Sequence, residues 1–251
     1  MKTLRLAVAG KGGTGKTTFA TFMVRYLLEK GKTPVLAVDA DPNANLSEAL
    51  GMPANQTIAQ VMEMTKEGDL PAGMSKADFI RYRVAASLVE GRDVDLLVMG
   101  NPEGPGCYCF PNDVLKGVLG QVVANYPVLV MDNEAGLEHL SRRIAQDIDV
   151  FFIMSDATAR GIRSAGRAKH IIDSLATKVG RTYLVVTRVP DEGALRALDP
   201  EIAKTGLELI GWIPQDEVIV EYDVMGKPLL EVPADSAAWT AAVEILEKSN
   251  I

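Results

Sequence analysis

The sequence predicts an α/β fold: a doubly wound, mostly parallel sheet of about seven strands with helices on both faces. Three observations carry this expectation. Short apolar runs of strand length recur along the chain, most are separated by segments long enough for a crossover helix, and the first run stops at a glycine-rich turn that leads into a helical pattern. Runs that are apolar throughout belong to strands buried on both faces, and sheets built from them bind ligands at the carboxyl ends of their strands. At roughly 100 to 200 residues per domain, 251 residues make one large domain or two small ones. With no internal repeat and no obvious linker, residues 1–251 are read as one domain.

Leu4 to Ala9 is the first strand, and Thr17 to Lys30 follows as a helix carrying Phe19, Met23 and Leu27 at helical spacing. Pro34 to Val38 repeats the buried-strand pattern and ends at Asp39. Asn45 to Leu50 reads as a short helix before Gly51, so a βαβ unit opens the chain. Pro53 to Asp93 mixes charges of both signs with Met62, Met64, Met74 and the breakers Gly68, Pro71 and Gly73, which predicts short helices and loops with methionine filling gaps. Five further strands are Val94 to Met99, Val128 to Met131, Val150 to Met154, Tyr183 to Thr187 and Leu209 to Ile213. A helix is predicted over Thr158 to Val179, and another over Ala237 to Lys248 with Trp239, Val243 and Leu246 on one stripe.

Composition narrows the function. With 47% hydrophobic and 24% charged residues the chain is an ordinary globular protein. Its 26 Lys and Arg against 33 Asp and Glu give a net charge of −7, which argues against nucleic acid as a partner and leaves room only for a local basic patch. The longest apolar runs fall far short of the ~18 residues of a membrane span, and Met1 to Gly10 has no signal-peptide pattern. Glu244 and Glu247 against Lys248 make the last helix a poor match for an anionic bilayer, so it is expected to dock on its own domain, with no membrane partner. The two cysteines, Cys107 and Cys109, cannot build a disulfide framework, and a cytoplasmic protein with reduced thiols is expected.

Gly10-Lys11-Gly12-Gly13-Thr14-Gly15-Lys16-Thr17-Thr18 fits G-x-x-x-x-G-K-[ST] between a predicted strand and helix, the context of a P-loop. Glycines let backbone N–H groups converge on phosphate oxygens, and the helix N-terminus adds partial positive charge. Lys16 reaches the β and γ phosphates, and the Thr17 hydroxyl ligates Mg²⁺. Lys11 is an extra lysine inside the loop, and with it the stretch resembles the deviant Walker A of the MinD, ParA and nitrogenase-iron-protein class of ATPases.

That resemblance implies a homodimer closing around two ATP molecules, with Lys11 crossing to the partner subunit's nucleotide. Asp39 and Asp41 in Asp-Ala-Asp-Pro-Asn, and Asp132 in Met-Asp-Asn-Glu-Ala-Gly, stand where the class has carboxylates. Asp41 is then expected to serve the attacking water, Asp132 the outer shell of Mg²⁺, and Gly136 a loop that senses the γ phosphate. Capping of the helix near Asn45 is the alternative for Asp41. For the base, the class has an asparagine followed by a basic residue where this chain has Thr187-Arg188. Trp212-Ile213-Pro214-Gln215-Asp216 resembles its second base-contacting loop, and adenine over guanine rests on the resemblance.

Cys107 and Cys109 are two apart, so in extended backbone both thiols face one side. Two sulfurs are too few for a closed zinc site, but a two-fold dimer offers four, which suit Zn²⁺, Ni²⁺ or an Fe–S cluster. Packed structural cysteines are the alternative, and a disulfide closed over one intervening residue is strained. With this pair, the P-loop and Asp132-Asn133-Glu134-Ala135-Gly136-Leu137-Glu138-His139-Leu140, the chain resembles the CooC/AcsF group of nickel-inserting ATPases. The resemblance implies an ATP-hydrolysing metallochaperone that inserts nickel into carbon monoxide dehydrogenase or acetyl-CoA synthase. In it Cys107 and Cys109 hold Ni²⁺ or Zn²⁺ across the dimer. His139 is expected to be structural, and His170 receives no role. The competing readings are a MinD/ParA-like positioning ATPase and an iron-sulfur carrier or reductase.

Overall fold

The computed structural model describes residues 2–67, 71, 73–100, 117–133, 147–174 and 178–251. Seven strands run parallel: β1 (Leu4–Gly10), β2 (Val35–Ala40), β4 (Val94–Val98), β5 (Val128–Asn133), β6 (Asp147–Asp156), β7 (Lys178–Val189) and β8 (Glu208–Pro214). A two-residue antiparallel β3 (Val89–Glu90) sits at one edge, and the spatial order is β3-β4-β2-β5-β1-β6-β7-β8. This is the doubly wound sheet that the apolar runs predict, with one short edge strand more than expected. Every residue of β2 and of β5 is buried, because parallel strands in the middle of such a sheet are covered on both faces.

Alternation along each strand sends side chains to two cores. Leu6 and Val8 of β1, with Val130, Phe152 and Val185, meet α1 (Lys16–Glu29), α2 (Leu46–Ala49) and α10 (Ala237–Lys248). Ala7 and Ala9, with Leu36, Met131 and Ile153, meet α3 (Ile58–Glu67), α4 (Lys76–Ser87), α5 (residues 117–123) and α6 (Ala159–Ser174). The second core continues under α7 (Glu192–Arg196) and α8 (Asp199–Thr205) through Leu195 and Ile202, while α9 (Glu217–Met225) lies at the rim with no buried residue.

Aromatic contacts fix the helix that follows the P-loop. Phe19 of α1 stands edge-on to Phe152 of β6 at 5.2 Å, and Phe22 stands edge-on to Trp239 of α10 at 5.4 Å. The Arg25 guanidinium lies over the same indole, 4.1 Å from its ring centroid. The stripe of α10 is therefore spent inside the molecule: Trp239 and Leu246 are buried. Among the described residues no helix is long and apolar enough to cross a membrane.

Two boundaries differ from the sequence expectation. The helix predicted over Thr158 to Val179 ends earlier, since Val179 already belongs to β7, which pairs with β6 from Lys178 opposite Asp147. The stretch Pro53 to Asp93 forms α3 and α4 and also supplies β3.

β1 lies between β5 and β6, whereas the chain runs from β1 first to β2 and β4 on one side and later to β7 and β8 on the other. The sheet reverses its winding there, and the carboxyl ends of β1, β2, β5, β6 and β7 open on a common crevice.

Candidate nucleotide site

The loop after β1 is shaped by its glycines. Gly10 lies opposite Met154 in the β1–β6 register, and a Cβ on it would overlap the Met154 carbonyl. Gly13 and Gly15 have φ of +77° and +74°, the left-handed region that costs glycine nothing. Thr14 folds the loop back by donating its Oγ1 to the Lys11 carbonyl at 2.7 Å. Gly15 then caps α1 without any side-chain hydrogen bond. The first N–H groups of a helix have no partner within it, so this cap leaves donors and the positive end of the dipole facing the loop. Such a cradle suits a phosphate chain.

Lys16 is buried on the first turn, and its Nζ lies 3.7 Å from Asp41 Oδ2. Asp41 Oδ1 accepts from the Asn43 backbone and side-chain N–H groups at 3.0 and 2.9 Å, which leaves Oδ2 turned to Lys16. Asp41 thus closes its own turn. The carboxylate that receives the first backbone donor of α2 is Asp39, which accepts from Leu46 N at 2.8 Å and from Asp41 N at 3.1 Å. The expected alternative for Asp41, capping near Asn45, falls to Asp39 instead, because Asp39 at the end of β2 points under the start of α2.

Thr17 Oγ1 donates to Asp132 Oδ2 at 2.6 Å, joining the loop to the end of β5. Asp39 and Asp132 are opposite each other in the β2–β5 register, both fully buried. Burial first, then the neighbouring Asp132 charge, push the Asp39 carboxyl up to about 7 against the pull of its two backbone donors. Burial likewise raises Asp132 to about 6, with Thr17 and Lys16 pulling the other way. Among the described residues Asp132 Oδ1 and Asn133 Oδ1 are buried acceptors with no partner, although Asn133 Nδ2 donates to the Val8 carbonyl. An unsatisfied buried acceptor costs about 1–3 kcal/mol. A hydrated cation beside Thr17 would supply a donor to Asp132, whose other oxygen already accepts from Thr17, so Thr17 and Asp132 fit a Mg²⁺ that accompanies phosphate.

Beyond Gly15 and Thr18 the crevice widens into a cleft of about 310 Å³, in the range of small-molecule sites. It brings together Thr187, Arg188, Pro214, Gln215 and Asp216 from the ends of β7 and β8. Their side chains are not equally available. Thr187 Oγ1 is buried and donates to the Thr14 carbonyl at 3.0 Å, within reach of the Ser155 carbonyl at 3.2 Å, so it ties the P-loop to β7. Arg188 is exposed at φ +54°, in the register shift between Val186 and Val189. Asp216 caps α9 and also accepts from Ser236 Oγ and Ala238 N. Burial works to raise its carboxyl, but these donors outweigh it and hold the group below the usual range. Ile219, Val220 and Asp223 of α9 complete the wall, and sequence reasoning missed them.

Lys11 does not join this group. It is exposed and lines a separate surface depression with Arg160, Arg163, Ser164 and Arg167. Gly12 is exposed at the loop's tip, with nothing near the place a Cβ would take. Cys107, Cys109, Gly136 and His139 lie outside the described residues, and His170 stands on the outer face of α6. Among the described residues no three His, Cys, Asp or Glu side chains cluster as a metal site.

The sequence pattern of the CobQ/CobB/MinD/ParA nucleotide binding domain matches residues 6–229. Over 247 residues, 97% of each chain, the protein is 40% identical to an "Uncharacterized ATP-binding protein" of Methanocaldococcus jannaschii. It is 29% identical to the carbon monoxide dehydrogenase accessory protein CooC of Rhodospirillum rubrum, over 78% of this chain and 87% of that one. A ParA family ATPase from Chlorobium tepidum has the same fold, with a TM-score of 0.72 at 19% identity over 97% of this chain and 98% of that one. With a P-loop at the switch point of a doubly wound sheet and a match that spans both halves of that sheet, the chain belongs to the CobQ/CobB/MinD/ParA nucleotide-binding domain family.

Proposed function

We propose that the protein is a Mg²⁺-dependent ATPase acting as a homodimeric nickel metallochaperone, whose client is a carbon monoxide dehydrogenase or an acetyl-CoA synthase. The observation that carries the nucleotide half is the convergence of Lys16, Asp41, Thr17 and Asp132 at a helix start with no side-chain cap, and the relative that is 40% identical is itself named for ATP binding. Lys16 places its ammonium on the β and γ phosphates. Asp41, its Oδ1 fixed by Asn43, keeps Oδ2 for orienting the attacking water. A Thr17 hydroxyl that donates to Asp132 retains lone pairs for the metal. Bound Mg²⁺ supplies neutralisation of the charge on the transferred phosphoryl group. Arg188 and the backbone of Pro214 and Gln215 are the groups offered to the base.

The nickel half is supported by Cys107 and Cys109, the only two cysteines of the chain, and by the similarity to the carbon monoxide dehydrogenase accessory protein. Nickel is the cargo in this reading. Four thiolates from two protomers hold one ion, so equilibrium dialysis of the ATP-loaded protein is expected to give about half a Ni²⁺ per chain, weakening at low pH as the thiolates take up protons. The double variant Cys107→Ser/Cys109→Ser should lose that binding while retaining ATP. Full nickel stoichiometry in the double variant would sink the metal assignment and leave the nucleotide site untouched.

A further inference from the structure

Helix α6 carries Arg160, Arg163, Arg167 and His170 at spacings of three, four and three residues, all exposed on one face, opposite the buried Ile162, Ala165 and Ile172. Two shallow depressions follow this stripe and share Arg163 and Arg167. The first, about 300 Å³, reaches Lys11 of the P-loop, and the second, about 390 Å³, reaches Lys204 of α8. Together they gather five cations, Lys11, Arg160, Arg163, Arg167 and Lys204, around one carboxylate, Glu201, on a chain whose net charge is −7.

Glu201 is shared, at 3.5 Å from Arg163 and 2.8 Å from Lys204, and among the described residues Arg160, Arg167 and Lys11 have no ion pair. Like charges a turn apart destabilise a helix by about 0.2–0.5 kcal/mol per pair, so the stripe is a cost that a bound polyanion would reverse. We infer that this face docks an acidic segment of a protein partner.

Two features favour a protein over nucleic acid. The stripe from Arg160 to His170 is only eleven residues, about 15 Å, long, and Asp156 and Asp173, the latter paired with Lys169 at 2.6 Å, stand beyond its two ends, where a duplex would continue its run of phosphates. Ile171, one turn beyond Arg167, is 41% exposed and offers an apolar contact at the end of the charges. Arg160, Arg163, Arg167 and Lys204 lie outside the residues of the nucleotide and nickel readings; Lys11 alone, at the end of the first depression, is shared with the nucleotide reading, and the variants below leave it unchanged.

A fluorescein-labelled decaglutamate peptide tests it by anisotropy on the full-length protein. The wild type should bind the peptide, more weakly as salt rises. Arg160→Glu/Arg167→Glu should weaken it by about tenfold or more, whereas Lys32→Glu/Arg92→Glu, the same charge change on another exposed surface, should leave it within about twofold. If the reversal impairs folding, Arg160→Gln/Arg167→Gln provides the comparison, with a smaller loss in the same direction. No binding by the wild type, equal loss in the two double variants, or tighter binding of a short mixed-sequence DNA duplex through the same arginines would overturn it.

Discussion

Asp39 is buried beside a second buried carboxylate because β2 and β5 pair in a register that sets it opposite Asp132. Its carboxyl is pushed up to about 7, chiefly by burial, from an ordinary value near 3.8. The folded state therefore holds its proton more tightly than the unfolded chain. This contribution to stability is fully present below about pH 4 and is lost as the pH rises through about 7. Compared with Asp39→Asn, which cannot ionise, the wild type should lose stability between about pH 5 and about pH 8, while histidine titration common to both proteins cancels in the difference. Urea midpoints of the two proteins at both pH values check this, and a difference that stays constant would refute it. The P-loop residues were legible in the sequence because phosphate binding needs Gly15, Lys16 and Thr17 at a fixed spacing within one turn. The role of Asp39 was not, since it arises from a strand register between residues far apart in the chain.

At the scale of elements, the P-loop is held from outside. Thr187 at the end of β7 reaches across the end of β6 and donates to the Thr14 carbonyl, so β7 positions a loop that follows β1. Replacing Thr187 by Val keeps the shape and leaves the Thr14 and Ser155 carbonyls without that donor, which should cost about 1–3 kcal/mol. The urea midpoint should fall accordingly, and nucleotide affinity should fall with it because the cradle is no longer tied. Unchanged midpoint and affinity would place the restraint elsewhere. The sequence marked Thr187 as a departure in base recognition; its hydroxyl is committed to backbone carbonyls that no linear pattern reveals. Strands were the easiest elements to read, since burial on both faces makes β2 and β5 apolar except at their functional ends. Helix α9 was not read: Glu217 to Met225 is rich in Val and Ile with no buried face, and it is helical because Asp216 caps its start and Gly226, at φ +62°, ends it. The end of α6 was misplaced because the pairing of β7 with β6 claims Val179.

For the whole molecule, the decisive arrangement is what shares a surface with the nucleotide crevice. Lys16 turns inward to Asp41, while Lys11, five residues earlier, is exposed with no ion pair among the described residues. A single chain thus spends one P-loop lysine on its own site and presents the other to whatever approaches that face. In the proposed dimer the approaching group is the partner subunit's ATP, and two-fold symmetry makes the contact twice. Burying a charge pair at an interface and then removing one member typically costs about 2 kcal/mol or more, roughly thirtyfold in affinity for each contact. Light scattering should show the wild type shifting from monomer to dimer with ATP and Mg²⁺, and Lys11→Ala remaining largely monomeric at the same concentration. Because Lys16, Thr17 and the cleft beyond Gly15 are intact in that variant, ATP should still bind it, and this separates a lost dimer contact from a lost nucleotide site. Dimerisation of Lys11→Ala as strong as that of the wild type would remove Lys11 from the interface and leave its side chain to the α6 depression.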